Sequence, residues 1–304
     1  MITDMPAATD LPVAVGGSAA SNARLTASNL TIGYGQRTVA SELNLQIPEG
    51  SLTVIVGPNA CGKSTLLRAL SRLLKPEAGE VLLDDRALGD FGAKELARVL
   101  GLLPQSSIAP SGITVVDLVT RGRHPHQRFG RQFSREDAAA VARAMAATGV
   151  TELGPRLVEE LSGGQRQRVW AAMVLAQETG TLLLDEPTAF LDVTHSYDLL
   201  ELLTDLNHEG RTMVAVLHDL NQACRFATHI VAMREGRIVA QGTPSEVVTP
   251  EMVQEVFGMA SMVVPAPAVG TTMVAAKPPG VRAALDPTDS PRFSRAREMA
   301  MATG

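Results

Sequence analysis

The sequence predicts an α/β chain built on a largely parallel sheet, and three observations carry that prediction. Short aliphatic runs alternate with longer segments of helical spacing. The runs are nearly continuous rather than alternating, as a sheet covered on both faces requires. The first of them, LTVIVG (52–57), leads through a glycine-rich loop directly into the helical stretch STLLRALSRLL.

Taken in order, residues 1–23 are rich in Ala, Ser, Gly and Pro without periodicity and read as a flexible leader. The strand runs are LTVIVG, VLLD (81–84), TLLLDEP (181–187), TMVAVLHD (212–219) and HIVAMREG (229–236). Helical spacing is plainest in SREDAAAVARAMAATG (134–149) and SYDLLELLTDLNHEG (196–210), both ending on Gly as helices often do. Residues 108–160 are mostly helical and read as a subdomain inserted between halves of the core. The tail, 277–304, mixes Pro, Gly and charge and is expected to be disordered. No internal repeat is visible.

At 304 residues the chain is long enough for one large domain or two small ones, and 45% hydrophobic with 19% charged residues is ordinary globular composition. Aromatic content of 3% leaves the core to aliphatic packing. A net charge of -5 supplies no basic excess for phosphate backbones, so no nucleic-acid partner is expected. Cys61 and Cys224 lack metal-like spacing and fit a reducing compartment better than a disulfide scaffold. No apolar run reaches the roughly 18 residues of a membrane span, and no secretory signal opens the chain, so a cytoplasmic location is expected. His124 and His126 lack a third ligand nearby and are expected in a solvated or partner-facing loop.

GPNACGKST comprises Gly57, Pro58, Asn59, Ala60, Cys61, Gly62, Lys63, Ser64 and Thr65. It satisfies G-x-x-x-x-G-K-[ST] between a strand and a helix, the context that makes this motif credible. Glycines let the backbone wrap phosphate oxygens, successive N–H groups form an anion nest, and the helix start adds partial positive charge. A nucleotide is the expected ligand, with Lys63 on the β- and γ-phosphates and Ser64 on Mg²⁺. TLLLDEP sets Asp185 and Glu186 at a strand's C-terminal end, the edge where ligands bind in open α/β sheets. Asp185 is expected to hold Mg²⁺ and Glu186 to polarise the attacking water. His218 is placed at the end of the next apolar run, for contact with the γ-phosphate. A lone acidic pair or a lone histidine is ordinarily a surface feature; their shared sheet edge argues otherwise.

One element has no place in a single phosphate site: the second glycine-rich turn in ELSGGQRQR (160–168), again leading into a helix. With Tyr34 in GYG, Gln105 in LLPQ, FLD (190–192) and VLHD, the set resembles the nucleotide-binding subunit of an ABC transporter across residues 25–275. LSGGQ is its most specific part, since other phosphate-loop ATPases lack it. The resemblance implies a P-loop NTPase core with an antiparallel β subdomain and the inserted helical subdomain, the whole spanning 24–276. It implies that Ser162, Gly163, Gly164 and Gln165 cap an ATP held by a second copy packed head to tail. It further implies that Tyr34 stacks on adenine, that Gln105 approaches Mg²⁺ and the attacking water while sensing the membrane partner, and that Asp192 contacts the opposite chain near its phosphate loop. Two departures stand out. Ala60 sits where many relatives carry Gly, which leaves phosphate binding intact if its φ is negative, as expected; AFLD replaces the more usual SALD.

A single ATPase unit without a membrane span suits an importer with separate permease subunits, acting at the cytoplasmic face of the bacterial plasma membrane. APSGITVVDLVTRGRHPHQ (109–127) and the ending EVFGMASMVVPAPAVGTTMVAAKP (255–278) resemble importers of ferric siderophores, haem and cobalamin. The latter resembles a short extension of two strands about a turn. Ferric siderophore is the first choice, with haem, cobalamin or another metal chelate as the alternative. The implied partners are a second copy, two integral-membrane permeases and, indirectly, an extracytoplasmic substrate-binding protein. A soluble ABC ATPase of translation or repair would usually carry two ATPase units or a coiled-coil insertion, and a kinase would leave SGGQ unexplained.

Overall fold

The computed structural model describes residues 23–106, 108–127, 133–266 and 271–276. The leader through residue 22 and the tail from 277 lie outside the described residues. Strands β1 (Ala23–Tyr34) and β2 (Arg37–Pro48) form an antiparallel hairpin. β1 begins one residue inside the expected leader, because Ala23 pairs with Pro48. β3 (Leu52–Val56), buried at every position, leads through the glycine-rich loop to α1 (Lys63–Leu70). β4 (Ala78–Leu83) and β5 (Arg86–Ala87) then join the hairpin in a sheet of order β2-β1-β4-β5. VLLD therefore belongs to this antiparallel sheet, not to the parallel one. Its burial shows why: Glu80 is exposed, Val81 buried, Leu82 half-buried and Leu83 buried, the alternation of a strand with one covered face.

After α2 (Ala93–Val99) comes β6 (Leu100–Leu103), the parallel sheet's edge strand. α3 (Val115–Thr120), α4 (Arg135–Ala147) and α5 (Gly163–Ala176) pack on one another. The rest of the main sheet follows as β7 (Thr181–Asp185), α6 (Val193–His208), β8 (Thr212–Val216), α7 (Leu220–Phe226), β9 (His229–Arg234) and β10 (Arg237–Gly242). The order is β10-β9-β3-β8-β7-β6, parallel except for β10. α6 starts ahead of its helical run because Asp192 caps it, accepting a bond from the His195 N–H. α8 (Pro244–Val247) and α9 (Pro250–Phe257) precede β11 (Ser261–Ala266) and β12 (Thr271–Ala276). These last strands pair antiparallel, as expected of the short ending; the connection between them lies outside the described residues.

The main sheet separates two cores, and the period of two assigns side chains to each. Leu52, Val54 and Val56 of β3 join Leu182 and Leu184 of β7 against the helices, while Ile55 and Leu183 face α1 and the antiparallel sheet. Each such side chain contributes about 1.5–3 kcal/mol of burial. A buried ion network ties α4 to the far end of α5. Arg123 donates to Asp137 Oδ1 (2.9 Å), to Glu178 Oε2 (2.8 Å) and to the carbonyl of Ala176 (2.8 Å). His126 turns inward to the carbonyl of Gln177, 2.8 Å from its Nε2, so of the two loop histidines only His124 is solvated as expected. Among the described residues no helix is long and apolar enough to cross a membrane.

Candidate active site

The loop after β3 is shaped by close backbone approach. At Gly57 (φ 152°) a Cβ would lie 2.2 Å from the carbonyl oxygen of Met233 on neighbouring β9, so no side chain fits. Gly62 (φ 108°) closes the loop as the cap of α1. Lys63, 5% exposed, folds its ammonium back over the loop and donates to the carbonyls of Gly57 (2.8 Å) and Pro58 (2.9 Å). Asn59 and Ala60 are exposed at the tip, Ser64 and Thr65 half-buried on the first helical turn. Burial pushes the Cys61 thiol up despite the nearby Lys63 charge. Ala60 corrects the expectation of a negative φ: it stands at φ 61°. An anion nest alternates right- and left-handed residues so that successive N–H groups converge, and here Ala, with its Cβ, occupies a left-handed position.

Strands β3, β8 and β7 are neighbours, so the residues beyond their C-terminal ends share one edge. Ser64 Oγ donates to Asp185 Oδ1 across 2.8 Å. Burial, joined by the adjacent Glu186 charge, raises the Asp185 carboxyl above its usual range, against opposing effects of Ser64, Arg68 and Lys63. A hydroxyl and a carboxylate held together are hard oxygen donors suited to a cation such as Mg²⁺. Glu186 turns out of β7 in a left-handed conformation (φ 53°), and its Oε1 lies 2.7 Å from Nε2 of His218. His218 stands two residues past β8, and Asp219 after it caps α7 through the N–H groups of Asn221 and Gln222. Gln105 is exposed beyond β6.

The second glycine-rich turn is an N-terminal cap. Ser162 Oγ accepts from the Gln165 N–H (3.2 Å), while Gln165 Oε1 accepts from the Ser162 N–H (3.1 Å). This capping box leaves the N–H groups of Gly163 and Gly164 at a helix start without ladder partners. The turn lies on the FLD segment: a Cβ on Gly164 would be 3.0 Å from the Phe190 carbonyl oxygen. Phe190 itself is left-handed (φ 65°) and 77% exposed. Asp192 is exposed, and the backbone and ring of His195 hold its carboxyl below the usual range. Tyr34, 46% exposed at the end of β1, accepts from Arg68 Nη1 at 3.1 Å.

The fold thus collects Lys63, Ser64, Asp185, Glu186 and His218 at one edge. Sequence reasoning missed two residues. Arg68 reaches Tyr34 from α1, and no spacing signals it. Gln167, 7% exposed, donates through Nε2 to the carbonyls of Pro187 (3.1 Å) and Glu186 (3.4 Å). Its signal was available: Gln167, Ala171 and Val174 follow i, i+4, i+7 spacing and are all buried.

The sequence model of the ABC transporter family matches residues 40–189. The ferric enterobactin transport ATP-binding protein of Escherichia coli is 55% identical over 253 residues, covering 83% of this chain and 93% of that protein. The iron(3+)-hydroxamate import ATP-binding protein of Bacillus subtilis is 46% identical over 245 residues, 80% of this chain and 91% of that protein. Among solved structures, the dimer of a bacterial ABC transporter cassette superposes with a TM-score of 0.66 at 29% identity, covering 72% of this chain and 98% of that chain.

Proposed function

This chain belongs to the ABC transporter family as an ATP-binding subunit, and from that premise we propose that it hydrolyses ATP to drive import of ferric siderophores through separate permeases. The observation that carries the ATPase reading is one sheet edge. Lys63, Ser64, Asp185, Glu186 and His218 converge there, while Ser162 and Gln165 bond to each other and face outward. The cargo rests on the 55% identity to a ferric enterobactin relative.

In this reading the N–H groups of residues 57–65 cradle the phosphates and Lys63 exchanges its two carbonyl bonds for β- and γ-phosphate oxygens. Ser64 and Asp185, with Gln105, hold Mg²⁺, which when bound neutralises phosphate charge. Glu186 accepts the proton of the attacking water, and His218 holds that carboxylate and reaches the γ-phosphate. Tyr34 stacks on adenine. Ser162, Gly163, Gly164 and Gln165 present N–H groups and a hydroxyl to the γ-phosphate of a second copy, and Asp192 meets that copy beside its phosphate loop. ATP contacts both chains only when the dimer is closed, which is the differential affinity that closes it; hydrolysis removes the bridge. Two integral-membrane permeases at the cytoplasmic face receive the motion through the region around Gln105, and an extracytoplasmic binding protein delivers the cargo.

Glu186→Gln should hold ATP in a stable dimer with little turnover, read by size-exclusion chromatography and phosphate release. A variant that stays monomeric in ATP or turns over normally sinks the composite site. Deleting the gene should abolish growth on a ferric siderophore as sole iron source and spare growth on haem; the reverse pattern assigns the cargo to haem.

A further inference from the structure

We infer that Gln167 is a positioning residue joining a chain's signature helix to the carboxylate of that same chain's ATP site, so that the dimer's two sites communicate through it. The inference rests on the dimeric ATPase reading above.

Three observations support it. Gln167 is the fifth residue of α5, whose first turn carries Gly163 and Gly164, and its amide is turned inward at 7% exposure. That amide nitrogen has two hydrogens, and it faces two carbonyls, those of Glu186 and Pro187, at 3.4 and 3.1 Å. Both carbonyls lie just past the end of β7; that of Glu186 also accepts from the Ala189 N–H (3.0 Å), closing a turn, and the Gln167 amide adds a side-chain donor to each. Glu186, which carries the first of these carbonyls, adopts φ 53°, a conformation that a non-glycine residue keeps only where its surroundings hold it. The same segment meets α5 again at Phe190, whose Cβ lies 3.4 Å from the Cβ position of Gly163 and whose carbonyl oxygen lies 3.0 Å from that of Gly164. The start of α5 therefore grips both ends of the segment between β7 and α6.

The consequence follows from which nucleotide each part serves. Ser162–Gln165 face the nucleotide of the second copy, while Glu186 works on the chain's own. A shift of the first turn of α5 on engaging a γ-phosphate is transmitted through the Gln167 amide to the backbone of Glu186. Occupancy of one site then sets the carboxylate of the other, which is a coupling between distinct sites. A glutamine that only filled space would affect stability and leave this communication untouched.

The test uses the full chain. Gln167→Met keeps length and bulk but removes both donors; Gln167→Asn keeps the amide and draws it back by one methylene. ATPase rate against ATP concentration, melting temperature and ATP-driven dimerisation in the Glu186→Gln background are measured together. The expected result is a kcat lowered about tenfold with KM within about twofold, a Hill coefficient falling from above one to one, and dimerisation preserved. Gln167→Asn, read in the same way if Gln167→Met melts below the assay temperature, should recover part of the cooperativity. A Hill coefficient at the wild-type value, with any loss of rate tracking melting temperature alone, overturns the inference. A wild-type chain that hydrolyses ATP without cooperativity and stays monomeric defeats the dimeric reading itself.

Discussion

Glu186 and His218 are joined by a 2.7 Å contact, although they emerge from different strands. β7 and β8 run parallel with Asp185 opposite Val216, which brings Glu186 and His218 to the same edge. Glu186 is left-handed and its side chain is only 16% exposed, so the imidazole is the group that orients its carboxylate. Removing either partner should lower kcat by roughly 10²–10⁴, the range of a positioned acid–base group. The double variant of Glu186→Gln with His218→Ala should be no slower than the worse single, because groups acting as a unit are not additive. Single-turnover rates decide this; fully additive losses would mean the two act independently.

Ala60 at φ 61° carries a cost that glycine would not. The left-handed region costs a residue with a Cβ about 1–2 kcal/mol, offset in part by the greater freedom of glycine in the unfolded chain. Ala60→Gly should therefore stabilise the protein by about 0.5–1 kcal/mol, which raises the melting temperature by roughly 1–2 °C. Because the N–H direction is set by the backbone, KM for ATP should not change. Ala60→Val should be destabilised, since a β-branched side chain tolerates this region least. A melting temperature lowered by Ala60→Gly would show that the loop relaxes in solution.

The legible parts of this fold are those where a side-chain pattern and a local constraint coincide. β3, β7 and β8 are buried at every position and mostly aliphatic, and the loop between β3 and α1 is specified by residue types that backbone wrapping demands. VLLD carried the same composition but one covered face, and only its partner strand reveals that. The φ of Ala60 was illegible because the nest dictates it, not the side chain. β6 (LGLL) is too short and glycine-broken to announce itself. Arg123 sits among other polar residues in RGRH, where sequence gives no sign of which side chain turns inward, whereas Gln167 in QRQR falls on the buried i, i+4, i+7 stripe of its helix. Polar networks closed by tertiary contact are the least readable part of the site and of its supports.

Asp137 supplies a pH test of the buried network. Burial pushes its carboxyl up, but Arg123 and the N–H and hydroxyl of Ser134 outweigh that and hold it below the usual range. With the folded pKa depressed, the carboxylate stabilises the fold above its unfolded pKa of about 3.9. That contribution is lost as pH falls through the lower folded value. Asp137→Asn should cost roughly 3 kcal/mol at neutral pH, because it leaves a buried guanidinium short of a partner. The gap from wild type should narrow below about pH 4. Denaturant melts at several pH values measure it, and a gap that stays constant into acid would remove the pair from the stability of this region.

Tyr34 separates stacking from hydrogen bonding. The residue is 46% exposed at the end of β1, and its hydroxyl accepts from Arg68 on α1, so it has two uses to separate. Stacking on a base is worth about 1–3 kcal/mol, which puts the KM of Tyr34→Ala for ATP roughly tenfold above wild type, with kcat nearly unchanged because the base is remote from the reacting phosphate. Tyr34→Phe keeps the ring and loses only an exposed bond, so its KM should match wild type. Equal damage from both substitutions would transfer the role to the Arg68 bond and the placement of α1. Stacking also tolerates any base, so GTP should compete with ATP in wild type, and this competition should weaken in parallel with ATP binding in Tyr34→Ala.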